Sequence, residues 1–414
     1  MEVLRRLTER GLVYQMTDEE RMAEVLGGER LSFYIGFDPT APSLHLGHLV
    51  PLMAAGYLRR AGHRPIIVIG GGTALVGDPS GRSAERTLES KGQIGEWADS
   101  VADQMEGFLD LGEEYEKPLM LDNSDWLTEL GYIDFLRDYG RHFSVNRMLS
   151  VESVKSRLQT GLSFLEFNYM LLQAYDYLHL FRNHQCTLQM GGADQWGNIV
   201  AGIDLIRRVE GGEAFGLTCP LVTTSTGEKM SKSMPGGAVW LDPGMTSPYD
   251  YYQFWINVDD RDVVYFLKLY TFVPTEEIDE RYARLKGREM REAKERLAWE
   301  ATAIAHGERR ADEAREASRA LFDGAGAREH VPSLSLPLSR LTEGVNCLDL
   351  FVETGLCSSR AEVRRLAKQG GLYLNEQRVE NPLENLREAQ LDRDGNLRLR
   401  AGKKRYYVVS FRNG

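Results

Sequence analysis

The sequence predicts a doubly wound α/β domain on a parallel sheet, then an all-helical stretch, then a compact C-terminal module. Three observations point there. LSFYIGFDP (31–39) and RPIIVIGGGTALVGDP (64–79) are apolar runs ending in polar or Gly-rich turns, with a helical pattern between them, which is the spacing of a βαβ unit. Further apolar runs at 118–123, 186–192 and 217–222 alternate with helical patterns at 92–111, 163–181 and 194–209. From about Ser247 to Ala320 only helices are legible, and DGAGAREHVPSLSLP (323–337) has the Gly, Pro and Ser content of a connector. The boundaries expected are 1–225 for the α/β domain, 226–322 for a polar loop and helices, 323–344 for a linker and 345–414 for the module.

Composition limits the function classes. A chain of 414 residues exceeds one ordinary core, and 42% hydrophobic with 27% charged residues is a soluble globular balance. No apolar run approaches the roughly 18 residues of a membrane span, so no membrane partner is expected. MEVLRRLTERGLVYQ lacks the apolar core of a signal peptide, which points to the cytoplasm. Cys186, Cys219, Cys347 and Cys357 form no CxxC pair and read as reduced thiols. The net charge of −11 is unevenly spread: residues 345–414 carry 13 basic and 9 acidic side chains, +4 against −15 for the rest. A basic module on an acidic body suits an anionic partner, although a merely basic surface has the same count.

The first helix should span Leu44–Ala61, with Gly62 ending it. PTAPSLHLGH places His45 and His48 at its start, where they could be half of a metal site, a helix start or an anion site. A zinc site needs further ligands that the neighbourhood lacks, so no metal is assigned. A helix N-terminus offers free N–H groups and a positive dipole end, and both imidazoles there can donate to phosphate. Pro51 lies inside the helix, four residues after Gly47, whose missing side chain eases the crowding. GDPSGRSAERTLES (77–90) carries Arg82 and Arg86 in a Gly/Ser loop, either a solvated loop or a phosphate grip at a strand end. Tyr169, Gln173 and Asp176 share one face of an otherwise apolar helix and face either a pocket or buried hydrogen-bond partners. GGADQWGN (191–198) opens another helix with Asp194 and Gln195, and an acid there often holds ribose. TGEKMSKSMPGG (226–237) is either a basic turn or a hinged loop whose Lys229 and Lys232 grip a polyanion.

HLGH (45–48) resembles the HIGH signature of the class I aminoacyl-tRNA synthetases, and KMSKS (229–233) matches their second signature. FDPTAPSLHLGH, GDPSGRSAERT, NYMLLQAYDYL, GGADQWGN and TSPYDYYQFWIN are similar to bacterial tyrosyl-tRNA synthetases in particular, and LDLFVETGLCSSRAEVRRLAKQGGLYLNEQRV resembles an S4 RNA-binding module. The resemblance implies a Rossmann-like catalytic domain, an all-helical domain and a small α+β S4-like domain. It implies ATP-driven activation of L-tyrosine and its transfer to tRNA(Tyr), with Mg²⁺ arriving on ATP and a homodimeric assembly.

The resemblance also implies residue roles. Tyr34 and Asp176 would bind the phenolic hydroxyl, Tyr169, Gln173 and Asp78 the ammonium group, and Gln195 the carboxylate end. Gly36, Asp38, Gly192 and Asp194 would line the adenylate, with Gly47 and His48 at the nucleotide. Thr40, His45, Arg82, Arg86, Lys229 and Lys232 would surround the outer phosphates. Arg207, Arg208, Arg360, Arg364, Arg365, Lys368, Lys403 and Lys404 would meet tRNA. Two departures stand out: Arg82 and Val151 occupy positions where some relatives carry lysine or another basic residue. The rival readings are a tryptophanyl enzyme and a non-catalytic RNA-binding protein on the same scaffold.

Overall fold

The structure, a computed structural model, describes residues 2–80, 89–109, 117–158, 160–225, 230, 238–322, 333–342, 344–375, 377–392, 395–402 and 405–412. The described residues fall into two compact units. One holds the chain up to Ser247 together with 254–307, and the other holds 248–253 and the chain from Glu308 onward.

Six strands build the first unit: β1 (Gln15–Met16), β2 (Ser32–Phe37), β3 (Arg64–Ile69), β4 (Leu119–Asp122), β5 (Cys186–Gly192) and β6 (Phe215–Cys219). They lie in the order β1-β6-β5-β2-β3-β4, all parallel except the short edge strand β1. The inner strands are almost wholly apolar and buried, as a sheet covered on both faces requires. From β2 the chain winds through β3 to β4, then returns to the other side of β2 for β5 and β6. The reversal falls between β2 and β5, and ligands of such sheets bind there, beyond the carboxyl ends of the strands.

Four helices matter to that crevice: α1 (Leu46–Arg60), α2 (Lys91–Leu109), α3 (Phe164–His184) and α4 (Trp196–Glu210). Each lies within three residues of its predicted span. Gly62, at φ +96°, turns the chain after α1, and Pro51 sits buried within that helix. Strand β6 starts two residues before the predicted run, because Phe215 and Gly216 also pair with β5. The N-terminal helix Glu2–Glu9 is fastened by Arg10, whose buried guanidinium donates to the carbonyls of Lys268 and Val273, both at 2.7 Å. Lys268 lies in the last turn of the helix Val263–Tyr270, whose carbonyls have no N–H groups left for them, and Val273 follows that helix.

The second unit centres on a five-stranded sheet of β7 (Ser333–Pro337), β8 (Leu372–Leu374), β9 (Gln377–Arg378), β10 (Asn396–Ala401) and β11 (Arg405–Arg412), in the order β7-β11-β10-β8-β9. Helices Cys347–Glu353 and Arg360–Lys368 share its core, and each is capped at its start, by the side chains of Asn346 and Ser359. Two expectations are corrected here. The stretch 323–344 is not a plain linker, since 333–337 pairs in parallel with β11. SLSLP alternates, and Leu334 and Leu336 join the core while Pro337 ends the strand. The helices of 226–322 are not a separate unit either: residues 254–307 belong with the α/β domain, while 248–253 and Glu308–Phe322 belong with the second unit.

Candidate active site

A cavity of about 370 Å³ opens at the strand reversal, between the ends of β2 and β5. Its wall includes Tyr34, Gly36, Asp38, Thr40, His45, Gly47, His48, Asp78, Tyr169, Gln173, Asp176, Gly192, Asp194 and Gln195. Residues from Tyr34 to Gln195 are thus brought to one crevice. Arg82, Arg86, Lys229 and Lys232 lie outside the described residues. Met230, between the two lysines, is buried in the cavity wall and donates its N–H to Val222, 3.1 Å away.

At the apolar end, α3 delivers Asp176, which is 3% exposed. Trp126 Nε1 donates to one carboxylate oxygen at 2.7 Å and Asn123 Nδ2 to the other at 2.9 Å. Burial pushes this carboxyl up to about 7, against the two donated hydrogen bonds that hold it down. Trp126 is itself fixed by stacking on His179, with ring centres 4.3 Å apart and planes 11° off parallel. The Tyr34 hydroxyl is fully buried and has no hydrogen-bond partner among the described residues, although its ring packs edge-on against Tyr177. Burial, and next the charge of Asp176, raise its pKa far above the usual phenol value, so it stays a neutral donor. A buried hydroxyl without a partner costs free energy unless a ligand supplies one.

Around the middle of the cavity the polar groups hold each other. Tyr169 donates to Asp38 at 2.8 Å and Thr73 donates to the other oxygen of Asp38 at 2.7 Å. Because the Tyr169 proton is committed to Asp38, its oxygen lone pairs are the acceptors left for a cation. Gln195 donates to Asp78 at 2.7 Å, and the backbone N–H of Ser80 donates to the other carboxylate oxygen at 2.9 Å. Gly36 has ordinary room for a Cβ, so its bareness serves the cavity rather than the packing. Gly70 has no such room: a Cβ there would come 2.0 Å from Asp38 Oδ1.

The two histidines resolve one open question. His45 is the N-cap of α1: its Nδ1 accepts from the Gly47 N–H at 3.0 Å, while His48 Nδ1 accepts from the His45 N–H at 3.2 Å. The rings stack at 3.9 Å. With Nδ1 acting as acceptor in both, each neutral ring carries its proton on Nε2 and is a donor there. Burial lowers the pKa of His45, which keeps it neutral. Backbone bonds from Leu46 to Val239 and from Leu241 to Leu44 strap this segment to the chain that follows the KMSKS stretch. The pair is therefore both the helix start and a donor pair, and among the described residues no cluster of His, Cys, Asp and Glu could hold a metal.

Thr73, Asn123, Trp126, Asn198 and Gly70 escaped the sequence reading. Asn123 and Trp126 follow the end of β4, and a polar residue closing a parallel strand was the available signal. The predicted RNA contacts are scattered. Exposed Arg207 pairs with Asp204 at 3.0 Å, and Arg208 lines a larger cavity of about 770 Å³ that also includes Val151 and shares Asp194 and Leu221 with the first. In the second unit Arg360, Arg364, Arg365 and Lys368 lie exposed along one helix, with Arg360 paired to Asp349 at 2.6 Å. Lys403 and Lys404 lie outside the described residues.

Comparison with known proteins bears on what this site does. A family model described as tRNA synthetases class I (W and Y) matches residues 27–323, and one described as the tyrosine–tRNA ligase SYY-like C-terminal domain matches residues 325–409. The chain is 50% identical over 407 residues to the tyrosine–tRNA ligase of Caldanaerobacter subterraneus subsp. tengcongensis, covering 98% of each protein. It is 49% identical over 407 residues to that of Acetivibrio thermocellus, again covering 98% of each. Among solved structures, a C-terminally truncated mitochondrial tyrosyl-tRNA synthetase from Aspergillus nidulans matches with a TM-score of 0.69 at 30% identity, over 77% of this chain and 94% of that one.

Proposed function

Because the chain belongs to the class I tRNA synthetases, and within them to the tyrosine–tRNA ligases, we propose how its residues divide the work of that reaction. The enzyme activates L-tyrosine with ATP, releasing pyrophosphate, and passes the tyrosyl group to tRNA. The substrate phenol lies at the apolar end, accepting from Tyr34 and donating to Asp176. The ammonium group sits among Asp78, Tyr169 and Gln173, near Asp38. Gln195 steers the carboxylate, whose oxygen attacks the α-phosphate as the bond to pyrophosphate breaks. His45, with Thr40, Arg82, Arg86, Lys229 and Lys232, surrounds the departing phosphates, and His48 and Gly47 border the nucleotide. Gly36, Gly192 and Asp194 border the adenylate. No side chain is needed as a nucleophile: the site positions two substrates and stabilises charge on the phosphates. Mg²⁺ enters as the ATP complex, as is usual for a cation held mainly by phosphates.

One observation carries this reading: the partnerless hydroxyl of Tyr34 in a buried cavity with the Asp176 carboxylate. Tyr34→Phe tests it. Loss of one neutral hydrogen bond of about 1 kcal/mol should reduce the preference for tyrosine over phenylalanine in ATP–pyrophosphate exchange roughly fivefold. An unchanged preference sinks the assignment.

For the tRNA, Arg207, Arg208 and the exposed row Arg360, Arg364, Arg365 and Lys368, with Lys403 and Lys404, meet phosphates, so charging should be salt-sensitive. The working form is a homodimer. Tyr132, Ile133, Val145 and Phe164 are all at least 58% exposed around one small core, an apolar surface that a second copy would cover. A sedimentation coefficient fitting a single 46.8 kDa chain would dismiss the dimer. The cytoplasm is the expected site of action, since ATP and tRNA are there and all four cysteines are free and buried thiols. No helix among the described residues is long and apolar enough to cross a membrane.

A further inference from the structure

Asn198 lies in the first turn of α4, is 3% exposed, and has no role in the reaction as described above. Its side-chain nitrogen is 2.9 Å from Gln173 Oε1 and 3.2 Å from Gln195 Oε1. Gln195 Nε2 is in turn 2.7 Å from Asp78 Oδ2. The direction of this chain follows from one end. An ionised carboxylate only accepts, so Gln195 must turn its NH₂ group to Asp78 and its carbonyl to Asn198. A carbonyl also only accepts, so Asn198 must present its own NH₂ group. An amide nitrogen carries two protons, and the second goes to the carbonyl of Gln173.

From this network we infer that Asn198 is a positioning residue that sets the hydrogen-bond polarity at the polar end of the tyrosine pocket. It keeps Gln195 donating to Asp78, so that the carboxylate stays aimed at the ammonium group. It also holds the carbonyl of Gln173 by one lone pair and leaves the other for the same cation. Buried amide networks polarise one another, so reversing one member disturbs all of them. The inference rests on reading this cavity as the tyrosine site.

Two substitutions separate polarity from packing. Asn198→Asp keeps the shape but is acceptor-only when ionised. It sets an oxygen against both glutamine carbonyls and forces Gln195 to turn its own carbonyl toward Asp78. Asn198→Ala removes volume without reversing any partner. If Asn198 sets polarity, Asn198→Asp raises the KM for tyrosine in ATP–pyrophosphate exchange about tenfold or more. Asn198→Ala raises it less, and the KM for ATP stays within twofold in both. If Asn198 only fills space, the order is reversed, and that result, or an unchanged KM in Asn198→Asp, overturns the inference. Should Asn198→Asp fail to fold, Asn198→Leu replaces it: a raised KM for tyrosine with unchanged KM for ATP supports the role, and wild-type kinetics overturn it. Wild-type enzyme that shows no tyrosine-dependent exchange would instead defeat the reading of the cavity itself.

Discussion

Trp126→Phe isolates a single bond in the phenol pocket. The indole N–H lies 2.7 Å from an Asp176 oxygen, and a hydrogen bond to a buried charged group is worth about 1.5–3 kcal/mol. Phenylalanine keeps an aromatic ring against His179, so packing is largely retained. At 1.36 kcal/mol per pKa unit, the loss should raise the Asp176 carboxyl by about one to two units. The carboxyl already stands at about 7 because of burial, so at neutral pH the variant should hold it mostly protonated where the wild type is about half ionised. The charge that accepts the phenol proton is then lost at neutral pH. The assay is kcat/KM for tyrosine, by ATP–pyrophosphate exchange, across the pH range. Its acid limb should move up by about one to two units while the KM for ATP holds. The same shift has a sign in stability. A carboxyl whose folded pKa exceeds 3.8 stabilises the fold below that value, and the contribution is lost as pH rises through about 7. In the variant that loss extends to higher pH, and thermal unfolding should follow it. An acid limb that does not move would refute the reasoning, since Trp126 would then not be holding the carboxylate.

Three further perturbations act elsewhere in the catalytic unit. Gly70→Ala places a methyl carbon 2.0 Å from Asp38 Oδ1 and 2.5 Å from Thr73 Oγ1, so the Thr73–Asp38 bond must open. The kcat/KM for tyrosine should fall about tenfold, as losing a bond to a charged group implies, and unaltered kinetics would show that Asp38 needs no such support. His45→Asn keeps a good N-cap but removes Nε2, so ATP kinetics should suffer while the melting temperature holds. His45→Ala should add a stability loss of about 1 kcal/mol, and calorimetry on the pair separates the two roles. Arg157→Met leaves Glu166 buried without its cation, whose Nη2 now donates to both carboxylate oxygens at 3.0 and 2.9 Å, and urea unfolding should show a loss of about 3–5 kcal/mol. A loss under 1 kcal/mol would mean that water reaches Glu166.

Much of the frame was legible because its causes are local. Apolar runs of strand length, helical spacing and a glycine after α1 depend on residues a few positions apart. The polar residues at strand ends were visible for the same reason, which is why Asp194 and Gln195 could be singled out, whereas Asp38 and Asp78 came from the family resemblance. Leu334 and Leu336 were missed although their alternation was available, because five residues inside a Gly/Pro-rich stretch carry little local signal until β11 pairs with them.

The sequence by itself determined the doubly wound order of elements, the polar strand ends, and two signatures whose resemblance to those of the class I synthetases implies ATP. Only the tertiary structure decided which of those side chains share a hydrogen bond. Tyr169 meets Asp38 across 131 positions of chain, and Gln195 meets Asp78 across 117. It alone showed that His45 is both cap and donor, that the Tyr34 hydroxyl is buried with no partner among the described residues, and that Asn123 and Trp126 carry Asp176. Periodicity records which face of an element is buried. The direction of a hydrogen bond, and the burial that moves a carboxyl to about 7, arise only when distant segments exclude water from a common space.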